Sequence, residues 1–143
     1  MKPFTLMEKA FIIKQTPLFS ALDLDSLLPI ADKLNTMEIN TGDIVFATQE
    51  HAYSMYFLVE GRIEIRDEDD TVIDRLSPID FFGDESLFNG QPRSYEARAQ
   101  TPCTLLILSR TNIMTIISEF PNVGIELLEE YTAVNTFRRR GQP

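Results

Sequence analysis

Apolar residues recur at helical spacing at both ends of the chain and at a spacing of two in between. Thr5-Leu6-Met7-Glu8 has the form of a capping box and predicts a helix from there to about Lys14. Pro17-Leu18-Phe19 breaks the chain and re-anchors it. A second helix is predicted from near Asp23, with Leu24, Leu27, Leu28, Ala31 and Leu34 on one face. Pro29 lies inside that stretch and predicts an irregular first turn. From Met37 to Ser109 the pattern is that of strands. Thr41-Gly42-Asp43 is a turn, and Tyr53 to Val59 is a strongly apolar strand ending at Gly61. Arg62-Ile63-Glu64-Ile65-Arg66 alternates as a half-buried strand does. Asp67-Glu68-Asp69-Asp70 then forms an acidic hairpin tip, and Thr71 to Leu76 returns as its partner strand. The tip lacks the glycine and distant glutamate of a calcium loop, so it reads as solvated. Tyr95, Ala97 and Ala99 alternate with Glu96, Arg98 and Gln100, and a last strand covers Thr104 to Leu108. Ser109 is the expected N-cap of a helix with Ile113, Ile116, Ile117 and Phe120 on one stripe. Pro121 opens another, with Leu127, Leu128, Tyr131 and Val134 on its buried side. Many short strands separated by turns predict a closed antiparallel roll.

The composition fits one globular domain: 143 residues, 43% hydrophobic and 24% charged, long enough to bury its own core. The single cysteine, Cys103, sits in an apolar run and is expected to be a reduced core thiol. With His51 the only histidine, a Cys/His zinc cluster and a histidine-ligated metal enzyme on a jelly roll are both excluded. No G-x-S-x-G elbow is present, so no enzyme is expected. No apolar run reaches the span of a membrane helix, and the start carries charge too early for a secretory signal. The expected compartment is the cytoplasm, without membrane contact by this domain. The net charge is −9, and Arg138, Arg139 and Arg140 supply three of the thirteen bases. Residues 1–137 therefore hold 22 acids against ten bases, a net −12 that repels phosphate backbones. Nucleic acid is not an expected partner, and the chain leaves no room for a helix-turn-helix after residue 139.

One segment fits no simple strand: Phe82-Gly83-Asp84-Glu85-Ser86-Leu87-Phe88-Asn89-Gly90-Gln91-Pro92-Arg93-Ser94. Gly83 permits a tight turn or a close approach to a ligand. Asp84 to Phe88 has room for one helical turn whose free amides face back toward Gly83 as an anion cradle. Arg93 is the only base between Arg75 and Arg98 and has the fork geometry that suits a phosphate. Spacing alone favours a structural glycine turn with a surface Arg–Asp pair over an anion site.

The segment resembles the phosphate-binding cassette of the cyclic nucleotide-binding domain family, F-G-E-x-[AS]-L…P-R-[STA]-A, the β-roll of catabolite activators and protein kinase A regulatory subunits. Gly42-Asp43-Ile44-Val45-Phe46 is similar to the family's strand entry, and Tyr56-Phe57-Leu58-Val59-Glu60-Gly61-Arg62 to its Y-[FL]-[IL]-x-x-G-x strand. Asp80 stands where the family often has aspartate. The likeness extends over roughly residues 5–139. It implies a mainly β fold, a double-stranded β-helix (jelly-roll β-barrel) flanked by N- and C-terminal α-helices. The chain is then a single domain over 1–143, with helices in 1–35, the roll in 36–109 and helices in 110–140.

The resemblance also implies a site. Arg93 pairs with the cyclic phosphate, and the amides near Glu85 and Ser86 cap the same anion beside Gly83. Asp84 stands at the ribose-binding glutamate, and Ser94 at the small or hydroxyl position that reaches a phosphate oxygen or the purine. Tyr131 or another residue of the last helix closes over the base. There are departures. Asp84 is one methylene shorter than the family's glutamate, and Glu85, next in line, is long enough to substitute. Tyr95 replaces a small residue and adds bulk inside the roll. Thr48-Gln49-Glu50 lacks the glycine of the family's turn. The implied function is a cyclic AMP or cyclic GMP sensor that moves its C-terminal helices, with no other cofactor. The alternative is a roll that binds no nucleotide and serves as an interaction or dimerisation module. The remaining partner class is another domain of a larger protein or a second copy of the chain.

Overall fold

The computed structural model describes residues 3–135. Helices α1 (Leu6–Lys14) and α2 (Leu24–Asp32) precede strands β1 (Asn35–Ile39), β2 (Ile44–Phe46), β3 (Ser54–Glu60), β4 (Ile63–Arg66), β5 (Val72–Leu76) and β6 (Phe81–Phe82). A short helix α3 (Glu85–Asn89) leads to β7 (Glu96–Ala99) and β8 (Cys103–Ser109), and α4 (Arg110–Glu119) and α5 (Pro121–Asn135) follow. The eight strands form two antiparallel four-stranded sheets, ordered β1-β8-β3-β6 and β2-β7-β4-β5. This is the expected roll. The terminal arginine triplet lies outside the described residues. Among the described residues no helix is long and apolar enough to cross a membrane.

Period-two geometry explains why the strands differ in composition. In β3, Phe57 packs with the helices while its neighbour Leu58 enters the space between the sheets. Leu106 and Leu105 of β8 divide in the same way, as do Phe81 and Phe82 of β6. The first sheet is thus covered on both faces, and β3 and β8 read as apolar runs. The second sheet buries Ile63, Ile65, Ala97 and Ala99. Its other face carries ion pairs, Arg66 to Glu64 at 3.0 Å and Arg98 to Glu96 at 2.8 Å. That arrangement leaves β4 and β7 alternating.

Local signals set the helix starts. Thr5 and Glu8 form the reciprocal capping box, and Asp23 and Ser109 cap α2 and α4 by accepting from Ser26 N and Asn112 N. The expected irregularity at Pro29 is absent: α2 is continuous through it. Burial of Leu27, Ile30 and Ala31 holds the helix despite the missing amide. Two predicted apolar stripes are narrower than expected, because Phe120 and Leu128 are exposed at 41% and 45%. Phe120 is the C-cap of α4, where the chain has already left the helical spiral. Cys103 is a free, buried thiol as expected. The acidic tip is closed by Asp67, whose carboxylate accepts from Asp69 N and Thr71 N.

Candidate functional site

The cassette begins where β6 ends. Gly83 holds φ +80°, and a Cβ there would come within 3.1 Å of Arg93, Phe46 and Tyr56. The close packing places the Gly83 peptide against the side chain ten residues later. Arg93 is held in place by its own backbone: its N–H donates to Glu50 O, and its carbonyl accepts from Gln49 N, both at 2.8 Å. Gln49 adopts φ +73°, so a non-glycine residue takes the left-handed turn where the family motif has glycine.

The Arg93 side chain is 2% exposed. Nη1 donates to Gly83 O, Nη2 donates to Ser54 O at 2.6 Å, and the guanidinium carbon lies 4.0 Å from the Phe46 ring centroid. Among the described residues Nε has no hydrogen-bond acceptor. Burial pushes the guanidinium below its ordinary range, while Tyr95, Tyr56, Glu85 and Asp84 favour its charged form. Arginine remains a cation under either influence. This buried guanidinium beside the Gly83 peptide has the charge and fork geometry that suit an anionic ligand.

Asp84 is fully buried, and its Oδ2 accepts from the Tyr131 hydroxyl at 3.0 Å. The Tyr131 ring also sits 4.6 Å from that of Phe88. Helix α5 is therefore seated on the cassette. Burial, then the charge and hydrogen bond of Asp84, push the Tyr131 phenol well above its usual range, so it stays a donor. Ser86 Oγ donates to Pro92 O at 3.0 Å and closes the cassette loop. Gly83, Asp84, Glu85, Ser86 and Arg93 come together in space. Ser94 does not join them, because it is exposed in the bend two residues before β7.

Tyr95 is the residue whose part in the site sequence reasoning missed. It is 2% exposed, 5.4 Å from the Phe46 ring, and its hydroxyl accepts from Gly83 N and donates to Glu85 Oε1, each at 2.8 Å. The available signal was the pair of small residues, Ala97 and Ala99, that follow it on the inward face of β7 and leave room for a large ring. Phe46, Tyr56, Phe82 and Tyr95 form one aromatic cluster around the cassette. Among the described residues no cluster of metal-ligating side chains occurs.

Residues 36–120 match the family model of the cyclic nucleotide-binding domain. The chain belongs to that family. Its cyclic nucleotide-binding domain is 29% identical over 132 residues to a cyclic nucleotide-gated potassium channel of Rhizobium etli, covering 92% of this chain and 35% of the channel. It is 22% identical to the CRP-like cAMP-activated global transcriptional regulator of Mycobacterium tuberculosis, covering 82% of this chain and 54% of the regulator. A crystal structure of a cyclic nucleotide-binding domain from Methylobacillus flagellatus superposes with a TM-score of 0.79 at 17% identity, covering 92% of this chain and 76% of that one. The chain spans about a third of the length of the channel relatives it matches. The family is a regulatory domain and not an enzyme.

Proposed function

We propose that this cyclic nucleotide-binding domain senses cyclic AMP or cyclic GMP and passes its occupancy to α5. The hydrogen bond from Tyr131 to Asp84 carries the reading, because it joins the cassette directly to the C-terminal helix. Arg93 supplies the charge for the cyclic phosphate. A phosphate that draws the guanidinium toward itself loosens its bond to Gly83 O, and Gly83 is covalently joined to Asp84. Displacement of that peptide moves the carboxylate on which α5 rests. Helices α4 and α5 also touch α2, through Asn112 Nδ2 to Lys33 O at 3.1 Å and Ser26 Oγ to Glu126 Oε1 at 3.5 Å. The result is a helix with two seats, biased by ligand. Its similarity to a cyclic nucleotide-gated channel and to a cAMP-activated regulator supports a switching role.

Amide hydrogen exchange with and without saturating cyclic nucleotide tests the relay. Protection is expected to change in residues 83–94 and 121–135 together. Tyr131→Phe should keep binding and lose most of the change in 121–135, since the charge-assisted bond is worth about 1.5–3 kcal/mol. A response confined to 83–94 in the unmodified chain contradicts the relay. The second reading, an interaction module without nucleotide, draws on one observation: Arg93 Nη1 and Nη2 and the Tyr95 hydroxyl already have partners inside the protein. It predicts no response at either segment.

A further inference from the structure

The Tyr95 hydroxyl occupies a built site. It accepts from a backbone amide, Gly83 N, and donates to a carboxylate, Glu85 Oε1, with both partners at 2.8 Å and the tyrosine 2% exposed. That donor–acceptor pair is what any neutral hydroxyl group requires of a specific pocket. The same glycine presents its carbonyl to Arg93, so the hydroxyl site and the cation lie on the two sides of one residue. A 3′,5′-cyclic nucleotide brings one anion and one free sugar hydroxyl, at the 2′ position, because ring closure uses the other two oxygens. Asp84, the residue the family motif places at the sugar, is turned to Tyr131 instead.

We propose that Glu85 is the acceptor of the sugar hydroxyl in this domain, and that the Tyr95 hydroxyl is an internal stand-in which the ligand must displace. Tyr95 then sets both the threshold of the sensor and its preference for a ribose over a deoxyribose. The inference rests on the sensor reading above but adds two residues to it, Glu85 as acceptor and Tyr95 as competitor. The competition is specific. A ligand without the 2′-hydroxyl gains nothing from an unoccupied Gly83 amide and Glu85 carboxylate, whereas a ribose ligand replaces both bonds. Ring packing against Phe46 makes Tyr95→Phe a conservative change, since the aromatic body remains in place.

Calorimetric titration with cyclic AMP and with 2′-deoxy cyclic AMP, on the unmodified chain, Tyr95→Phe and Glu85→Gln, tests this. Tyr95→Phe is expected to tighten cyclic AMP about tenfold and leave the deoxy analogue within about twofold. Glu85→Gln is expected to weaken cyclic AMP about tenfold or more, again sparing the analogue. Equal effects on both ligands, or no effect of either substitution, overturns the inference while the sensor reading stands, provided the unmodified chain binds. Absence of binding by the unmodified chain and by Tyr95→Phe alike overturns both.

Discussion

Arg93→Ala is expected to abolish measurable binding of cyclic nucleotides. The guanidinium is the buried cation at the cassette, and truncating one partner of a desolvated charge pair costs about 2–5 kcal/mol, a loss of roughly thirtyfold to several thousandfold in affinity. The same substitution leaves the carbonyls of Gly83 and Ser54 without their donor, which costs about 1–3 kcal/mol each if water cannot replace it. A lower melting temperature is therefore expected alongside the lost binding, with the roll still formed because both aromatic and aliphatic cores persist. Arg93→Lys separates the two effects: it keeps the charge but cannot bridge the carbonyls in a fixed fork. Affinity retained within threefold in Arg93→Ala, in a protein folded by circular dichroism, places the anion elsewhere.

Gly61→Ala is expected to destabilise the fold more than any other exchange of glycine for alanine among those described. Gly61 holds φ +100°, and a Cβ there would lie 2.4 Å from Pro102 O and 2.6 Å from Cys103 Sγ. The carbonyl belongs to the backbone leading into β8, the strand that pairs with both β1 and β3, so it has little freedom to retreat. Strain and overpacking together imply about 3 kcal/mol or more, and a melting temperature lower by roughly 10 °C. Gly42→Ala is the control, since its φ is also positive at +88° but nothing lies within 4 Å of an added Cβ. Equal melting temperatures for the two variants contradict the clash.

The roll was legible because its signals are local and periodic. Alternation in Arg62–Arg66 and the turn at Gly42 follow from residue order alone, and the capping residues Thr5, Asp23 and Ser109 announce three helix starts. The cassette was legible as a motif, and Arg93 and Gly83 do meet as the resemblance implies, where spacing alone favoured a surface Arg–Asp pair. Side-chain partners were not legible, because they depend on which neighbours burial leaves available. Asp84 meets Tyr131 across 47 residues, a pairing that exists only once α5 packs on the cassette. Tyr95 read as excess bulk, yet the small side chains of Ala97 and Ala99 and the amide of Gly83 make room and a use for it. Leu128 followed the apolar period of α5 but faces outward, since periodicity finds a stripe and not its edge.

The most direct measurement is a calorimetric titration of the unmodified chain with cyclic AMP, cyclic GMP and, as a linear control, 5′-AMP. The account predicts saturable one-to-one binding of a 3′,5′-cyclic nucleotide, at least tenfold tighter than the linear control. Heats indistinguishable from dilution for both cyclic nucleotides, at protein and ligand concentrations reaching the millimolar range, contradict it.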